Sequence, residues 1–234
     1  MCNLSTFDSG GQRGVLPGHG VVHRRMRLLG HTALVAAATV PGTKVITGHF
    51  GVGAAAKSVD HRAPLWSLML ATQWLDVVFV PLFLFHIETI DTLAGGGYGN
   101  VVIHAAYTHS LLGALVLSAA FGAVAWWRWD QRLGLLLGAV AFSHWILDLI
   151  VHRGDMPILP GNVGDLPLLG FGLWRFPAIS IPLEAALFLG GVFLYWRAAR
   201  HTHPRGNSRV TPTIVTGALL ASGAIVLVLD AFGI

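Results

Sequence analysis

Long apolar runs alternate with short polar connections along this chain, and that alternation restricts its fold more than any other feature. The run from Leu133 to Val151 contains no Lys or Arg. A helix of about 20 apolar residues matches the hydrocarbon thickness of a bilayer. Inside lipid, only helices and closed barrels satisfy their own backbone groups. Comparable runs extend from Leu65 to His86, His109 to Trp127, Ala178 to Trp196 and Thr213 to Phe232. A Gly/Ala-rich helix from Ile46 to Ser58 precedes them and is too short to cross comfortably. Asp60-His61-Arg62-Ala63-Pro64 breaks it, and Pro64 suits the first turn of the next helix. The expected fold class is all-α: a polytopic integral membrane protein with about five full transmembrane helices plus a short N-terminal helix.

Charge supports this reading. Only 11% of residues are charged, against about 25% in soluble domains. The net charge of +4 does not point to nucleic acid, because the basic residues sit between apolar runs, where membrane topology accounts for them. Membrane lipids are the expected partners, and no nucleic acid is expected. Lys44, Lys57 and Arg62 precede the first full span, and Arg128 and Arg132 separate the second from the third. Arg197, Arg200, Arg205 and Arg209 separate the last two. The connection from Glu88 to Thr108 has no Lys or Arg, and that from His152 to Pro177 has only Arg153 and Arg175. The positive-inside rule puts the first set in the cytoplasm, as expected for a multi-pass protein of the inner (plasma) membrane. Trp126, Trp127, Trp129 and Trp196 beside the arginines fit an interfacial aromatic belt. A single cysteine, Cys2, excludes an internal disulfide. Residues 1–43, with His19, His23 and His31, read as a poorly structured extension or a misplaced start. Residues 44–234 form a single transmembrane helical domain.

Within this apolar background the stretch Ser143-His144-Trp145-Ile146-Leu147-Asp148 stands out. Positions i and i+4 share a helix face, so His144 and Asp148 point the same way. A carboxylate inside a membrane helix is expensive unless it is paired, metal-bound or wet. The plain structural alternative is a buried His-Asp pair that fastens two helices. At about 1.5 Å per residue, Asp76 and His144 each lie roughly 18 Å from the cytoplasmic side, with Asp148 one turn further out. His109 starts its span at the outer end, with Thr108 as a candidate cap. The groups therefore gather in the outer half of a core about 30 Å thick. His109, His144, Asp76 and Asp148 are the candidate metal ligands. His49 opens the short helix after Gly48, where a lone histidine is more often structural; as a functional group it would be a further ligand or general base. His104, in the loop before His109, would support a ligand or meet substrate. His152 lies one more i+4 step along the same face, where an interfacial role suffices. Glu184 is either another ligand or the partner of a buried cation such as Arg175.

Mixed nitrogen and carboxylate donors suit a divalent metal, Zn or another transition metal, better than Mg or Ca. Such an ion with an open position polarises oxygen and acidifies water, the chemistry of a hydrolase acting on an unknown small-molecule or lipid substrate. Two rivals use the same residues: a non-enzymatic metal or proton transporter, and a haem-binding helical bundle with axial histidines.

Several of these pieces together resemble one family. Gly48-His49-Phe50, Asp76, His104 through Tyr107-Thr108-His109-Ser110-Leu111-Leu112, and Ser143-His144 to Asp148 are similar in type and order to the membrane-bound metal-dependent hydrolases, also called the LexA-binding, inner-membrane-associated hydrolases. The resemblance runs from Thr47 to Glu184 and includes Met156-Pro157-Ile158-Leu159-Pro160 and Gly172-Leu173-Trp174. It implies a multi-helix membrane protein whose shared His and Asp residues bind metal. Family members carry Pro-Asp-x-Asp where this chain has Gln73-Trp74-Leu75-Asp76, and often Arg where it has Ala105. One carboxylate and one natural phosphate contact are thereby missing, which weighs against a two-metal mechanism and a phosphoester substrate.

Overall fold

The structure, a computed structural model, describes residues 47–94, 98–202 and 212–232. The expected extension over residues 1–43 lies outside the described residues. Seven helices and one small hairpin follow in order. They are α1 (Thr47–Ala56), α2 (Leu65–Thr72), α3 (Trp74–Leu84), β1 (Thr89–Thr92), β2 (Val101–His104), α4 (Leu111–Arg128), α5 (Gln131–Val151), α6 (Pro177–Thr202) and α7 (Pro212–Phe232). Four of them, α4 to α7, are long and apolar enough to cross a membrane. The mostly helical class expected from the apolar runs is thus observed, and the four long helices suggest a membrane protein.

Two features depart from the all-α expectation. The run from Leu65 to His86 is not one helix: α2 and α3 are bent by 52° at Gln73. The Gln73 N–H turns back to Leu70 O in a tightened last turn. The second departure is an antiparallel hairpin between α3 and α4, in which Ile90 faces Ile103 and Thr89 faces His104. Threonine, isoleucine and valine fill these short strands, in keeping with β-branched preferences.

The short helix α1 is buried along most of its length and packs against α6. Glycine permits this approach. A Cβ on Gly191 would collide with the Gly51 backbone, and one on Gly51 would lie 2.7 Å from the Phe188 Cα. The close contact brings the N-terminal turn of α1, and with it His49, into the centre of the bundle. Small residues at such interfaces let helix backbones meet where lipid offers no hydrophobic drive.

The two ends of the bundle differ in chemistry. At one end the α1–α2 and α4–α5 connections are clasped by charge: Arg62 pairs with Asp60 at 2.7 Å and Asp130 at 2.8 Å, and Arg132 with Asp60 at 3.3 Å. At the other end the hairpin meets the segment after α5. There Ile103 N–H donates to Asp155 at 3.1 Å, and Arg153 donates to Gly99 O. Leu111 N–H bonds to Pro157 O at 2.9 Å, which seats the start of α4 on the same segment.

Candidate metal centre

Asp76, His109, His144 and Asp148 converge toward the hairpin end of the bundle, and His49 joins them from α1. Each arrives for a local reason. Asp76 occupies the first turn of α3, immediately after the bend. His144 and Asp148 share one face of α5, one helical turn apart, with Nε2 of His144 3.1 Å from Asp148 Oδ2. His109 lies just before α4, whose cap is Ser110 and not Thr108 as expected: the Ser110 hydroxyl accepts from Gly113 N–H at 3.1 Å. A Cβ at Gly113 would strike the Tyr107 carbonyl, so glycine lets the Tyr107–Ser110 turn fold onto the helix start. The indole N–H of Trp145 then holds the His109 carbonyl at 2.8 Å.

The bend at Gln73 contributes directly. A carbonyl in the last turn of a helix lacks an intrahelical partner, and Thr72 O instead accepts from His144 Nδ1 at 2.6 Å. A carbonyl cannot donate, so His144 carries a proton on Nδ1 and turns Nε2 toward the cluster. Ligating histidines are oriented in this way by backbone carbonyls.

Several neighbouring inward-facing atoms are spaced close to the edge length of a coordination tetrahedron. His109 Nε2 is 3.5 Å from Asp76 Oδ1, 3.4 Å from Asp148 Oδ2 and 3.4 Å from His144 Nε2. His144 Nε2 is 3.6 Å from Asp76 Oδ1. Ligand bonds of about 2.0–2.2 Å in a tetrahedron put neighbouring ligand atoms about 3.3–3.6 Å apart. The residues present therefore fit a metal ion: two overlapping trios, Asp76 with His109 and His144, and His49 with His144 and Asp148, could each hold one.

His49 Nε2 lies 3.4 Å from Asp148 Oδ1 and 3.2 Å from the His144 carbonyl, with its ring 4.2 Å from that of His144. As a donor to these oxygens it would orient Asp148. Both carboxylates also sit where a macrocycle would have to lie between the two ring nitrogens, so the cluster does not suit a pair of axial haem ligands.

The cluster lines a small, open pocket whose other walls are Phe79, Ile90, Ile103, His152 and Trp174. The Asp76 side chain is 25% exposed while the other three ligand candidates are at most 5% exposed, so access is on the Asp76 side.

His104 stands apart from the cluster. It lies on β2, half-exposed, paired with Asp91 at 3.0 Å across the hairpin, and does not line the cavity. Strand alternation explains the separation: neighbouring Ile103 points to the cavity, so His104 points away. Glu184 is buried and bonds the Tyr98 hydroxyl, not Arg175. His152 proves more than interfacial: it is buried in the cavity wall with Nδ1 3.0 Å from Asp155. Its i+4 spacing from Asp148 was the legible signal. Burial pushes the His152 imidazole down, but the Asp155 hydrogen bond and the Asp148 charge more than offset this and leave it raised. The residue that sequence reading passed over is Glu88. It is fully buried and accepts from Tyr107 N–H at 2.7 Å, Thr108 N–H at 2.9 Å and the Thr108 hydroxyl at 2.8 Å.

Fold and site together define a mostly helical protein with four helices long and apolar enough to span a membrane and a buried His/Asp cluster able to hold a metal ion. No protein-family model, curated protein or solved structure matches the chain.

Proposed function

We propose that the chain is a multi-pass inner-membrane protein that binds one divalent transition metal, Zn or a similar ion, through Asp76, His109, His144 and Asp148, and uses it for hydrolysis. The observation that carries this reading is the set of five distances of 3.1–3.6 Å among these inward-facing atoms. With Nε2 of His144 turned inward and two carboxylates close by, the negative charge of the cluster calls for a cation, a metal ion or protons, among its groups. The resemblance of these residues, in order and type, to the membrane-bound metal-dependent hydrolases makes membership of that family part of the proposal. When bound, the ion supplies Lewis acidity toward a carbonyl or phosphoryl oxygen and makes water acidic enough to serve as nucleophile.

The chain's own groups then divide the work. Asp148 and Asp76 neutralise the cation. His49 orients Asp148 through Oδ1. Phe79, Ile90, Ile103 and Trp174 form an apolar wall that excludes bulk water and accommodates the apolar part of a small-molecule or lipid substrate. The orientation rests on charge: the clasp of Arg62 and Arg132 would face the cytoplasm, and the cavity the opposite side.

The bend at Gln73 favours a second reading, transport of a metal ion or proton, because broken helices flank ion sites in transporters. Metal analysis of detergent-purified protein, followed by ester and phosphoester screening, tests the first reading. Ion flux into proteoliposomes without hydrolysis would favour the second. A purified protein with its fold intact and no bound metal would refute the metal centre.

A further inference from the structure

Glu88 has no cationic partner among the described residues, yet it is fully buried. Three donors satisfy it, and they separate into two tasks. Oε1 accepts both backbone N–H groups, from Tyr107 and Thr108, and so pins the turn before α4. Oε2 takes the hydroxyl of Thr108 at 2.8 Å. That same hydroxyl oxygen lies 2.8 Å from His109 Nδ1. A hydroxyl carries one proton. Because it is given to Glu88, the oxygen can only accept from the imidazole, so His109 must carry its proton on Nδ1.

We propose that Glu88 acts through Thr108 as a positioning residue that fixes the His109 tautomer, leaving Nε2 bare toward the metal cluster. The inference rests on the metal-site reading and deepens it: His109 is held by a side-chain relay as His144 is held by the Thr72 carbonyl. It extends by one hydroxyl the carboxylate–imidazole–metal arrangement that fixes ligand tautomers.

Glu88→Gln separates this role from a structural one. The glutamine oxygen keeps both backbone N–H groups, but its amide now donates to the Thr108 oxygen. The hydroxyl proton is released to His109 Nδ1, the imidazole proton moves to Nε2, and a proton then points where the metal should sit.

The test uses full-length protein in detergent, with Zn²⁺ as the probe. Affinity is read by competition with a chelating indicator, and the His109 tautomer by ¹⁵N NMR of the metal-free protein. Glu88→Gln should weaken Zn²⁺ binding about 10–100-fold and move the proton from Nδ1 to Nε2. Thr108→Ser should keep the wild-type affinity and Thr108→Val should lose a similar factor, two comparisons that hold even if Glu88→Gln fails to fold. In a Thr108→Val background, Glu88→Gln should add no further loss, because the relay is already cut. Unchanged affinity in Glu88→Gln, additive losses in the double variant, or a wild-type His109 protonated on Nε2 would each overturn the proposal. Wild type that binds no Zn²⁺ would sink the metal-site reading instead, and the NMR arm would still decide the tautomer.

Discussion

The bundle holds two polar clusters of opposite design. At the charged end every carboxylate meets a guanidinium: Asp60 bonds both Arg62 and Arg132, and Asp130 bonds Arg62 and caps α5 through Leu133 N–H. At the hairpin end two carboxylates and three imidazoles converge, and among the described residues no Lys or Arg lines the cavity wall. The first cluster is complete as built, so its natural role is to fasten connections. The second is balanced only when a cation, a metal ion or protons, is added. Completeness, more than residue type or burial, separates a clasp from a site.

The sharpest way to break this contrast is to remove a ligand. Asp148→Asn keeps size and packing but removes half of the charge that neutralises a cation, and His144→Ala opens a coordination position. Each should lower Zn²⁺ occupancy at least 100-fold, read by metal analysis per folded protein. Asp60→Asn should leave occupancy unchanged. If the two site variants unfold and the wild type carries no metal, the hairpin-end cluster is a fastener like the other, and the contrast fails.

The parts of this architecture that were legible in sequence are those governed by strong, local rules. Bilayer thickness made the apolar runs of α4, α5, α6 and α7 readable as helices, with ends close to those observed except at the C-terminal end of α6, which runs past Trp196 to Thr202. The i, i+4 rule put His144 and Asp148 on one face. The break at Gln73 was hidden because Thr72-Gln73-Trp74-Leu75 contains no Gly or Pro and reads as continuous helix. Its consequence, a Thr72 carbonyl free to fix His144, could not be inferred without it. The hairpin carried a signal that was passed over: Thr89–Thr92 and Val101–His104 are rich in β-branched residues on either side of a glycine run. Misreading it as loop placed His104 near His109, although strand alternation turns it outward. Glu88 was illegible for another reason. Its partners lie about twenty residues away in sequence, and only the folded turn before α4 brings them to it.

The clasp makes a smaller, pH-dependent prediction. The Arg62 hydrogen bond and the neighbouring charges hold the Asp60 carboxyl at about 2, against burial that pushes it up. A carboxyl lowered in the folded state contributes stability that is present above its unfolded value of about 3.9 and is lost as pH falls through its folded value. Asp60→Asn should therefore cost about 2 kcal/mol at pH 7, seen as a thermal midpoint lower by several degrees. The gap between wild type and variant should narrow below pH 4. A gap that is constant from pH 7 to pH 3 would mean that packing, not charge, makes the clasp.

The smallest effect is expected where residue type and pairing match the site but solvent does not. His104 and Asp91 form a His–Asp pair at 3.0 Å, slightly closer than His144 and Asp148 at 3.1 Å. Their side chains are 52% and 70% exposed, against 3% and 4% for the buried pair. Water solvates both partners and screens their attraction, so an exposed pair of this kind adds little. His104→Ala should shift the thermal midpoint by no more than about 1 °C and leave Zn²⁺ affinity within about twofold of wild type. Measured beside His144→Ala, it removes the same side chain from the same kind of pair and changes only the surroundings. A large loss of metal or activity in His104→Ala would mean that the hairpin closes over the cavity during function and brings His104 to the cluster, which would return it to the place the sequence first suggested.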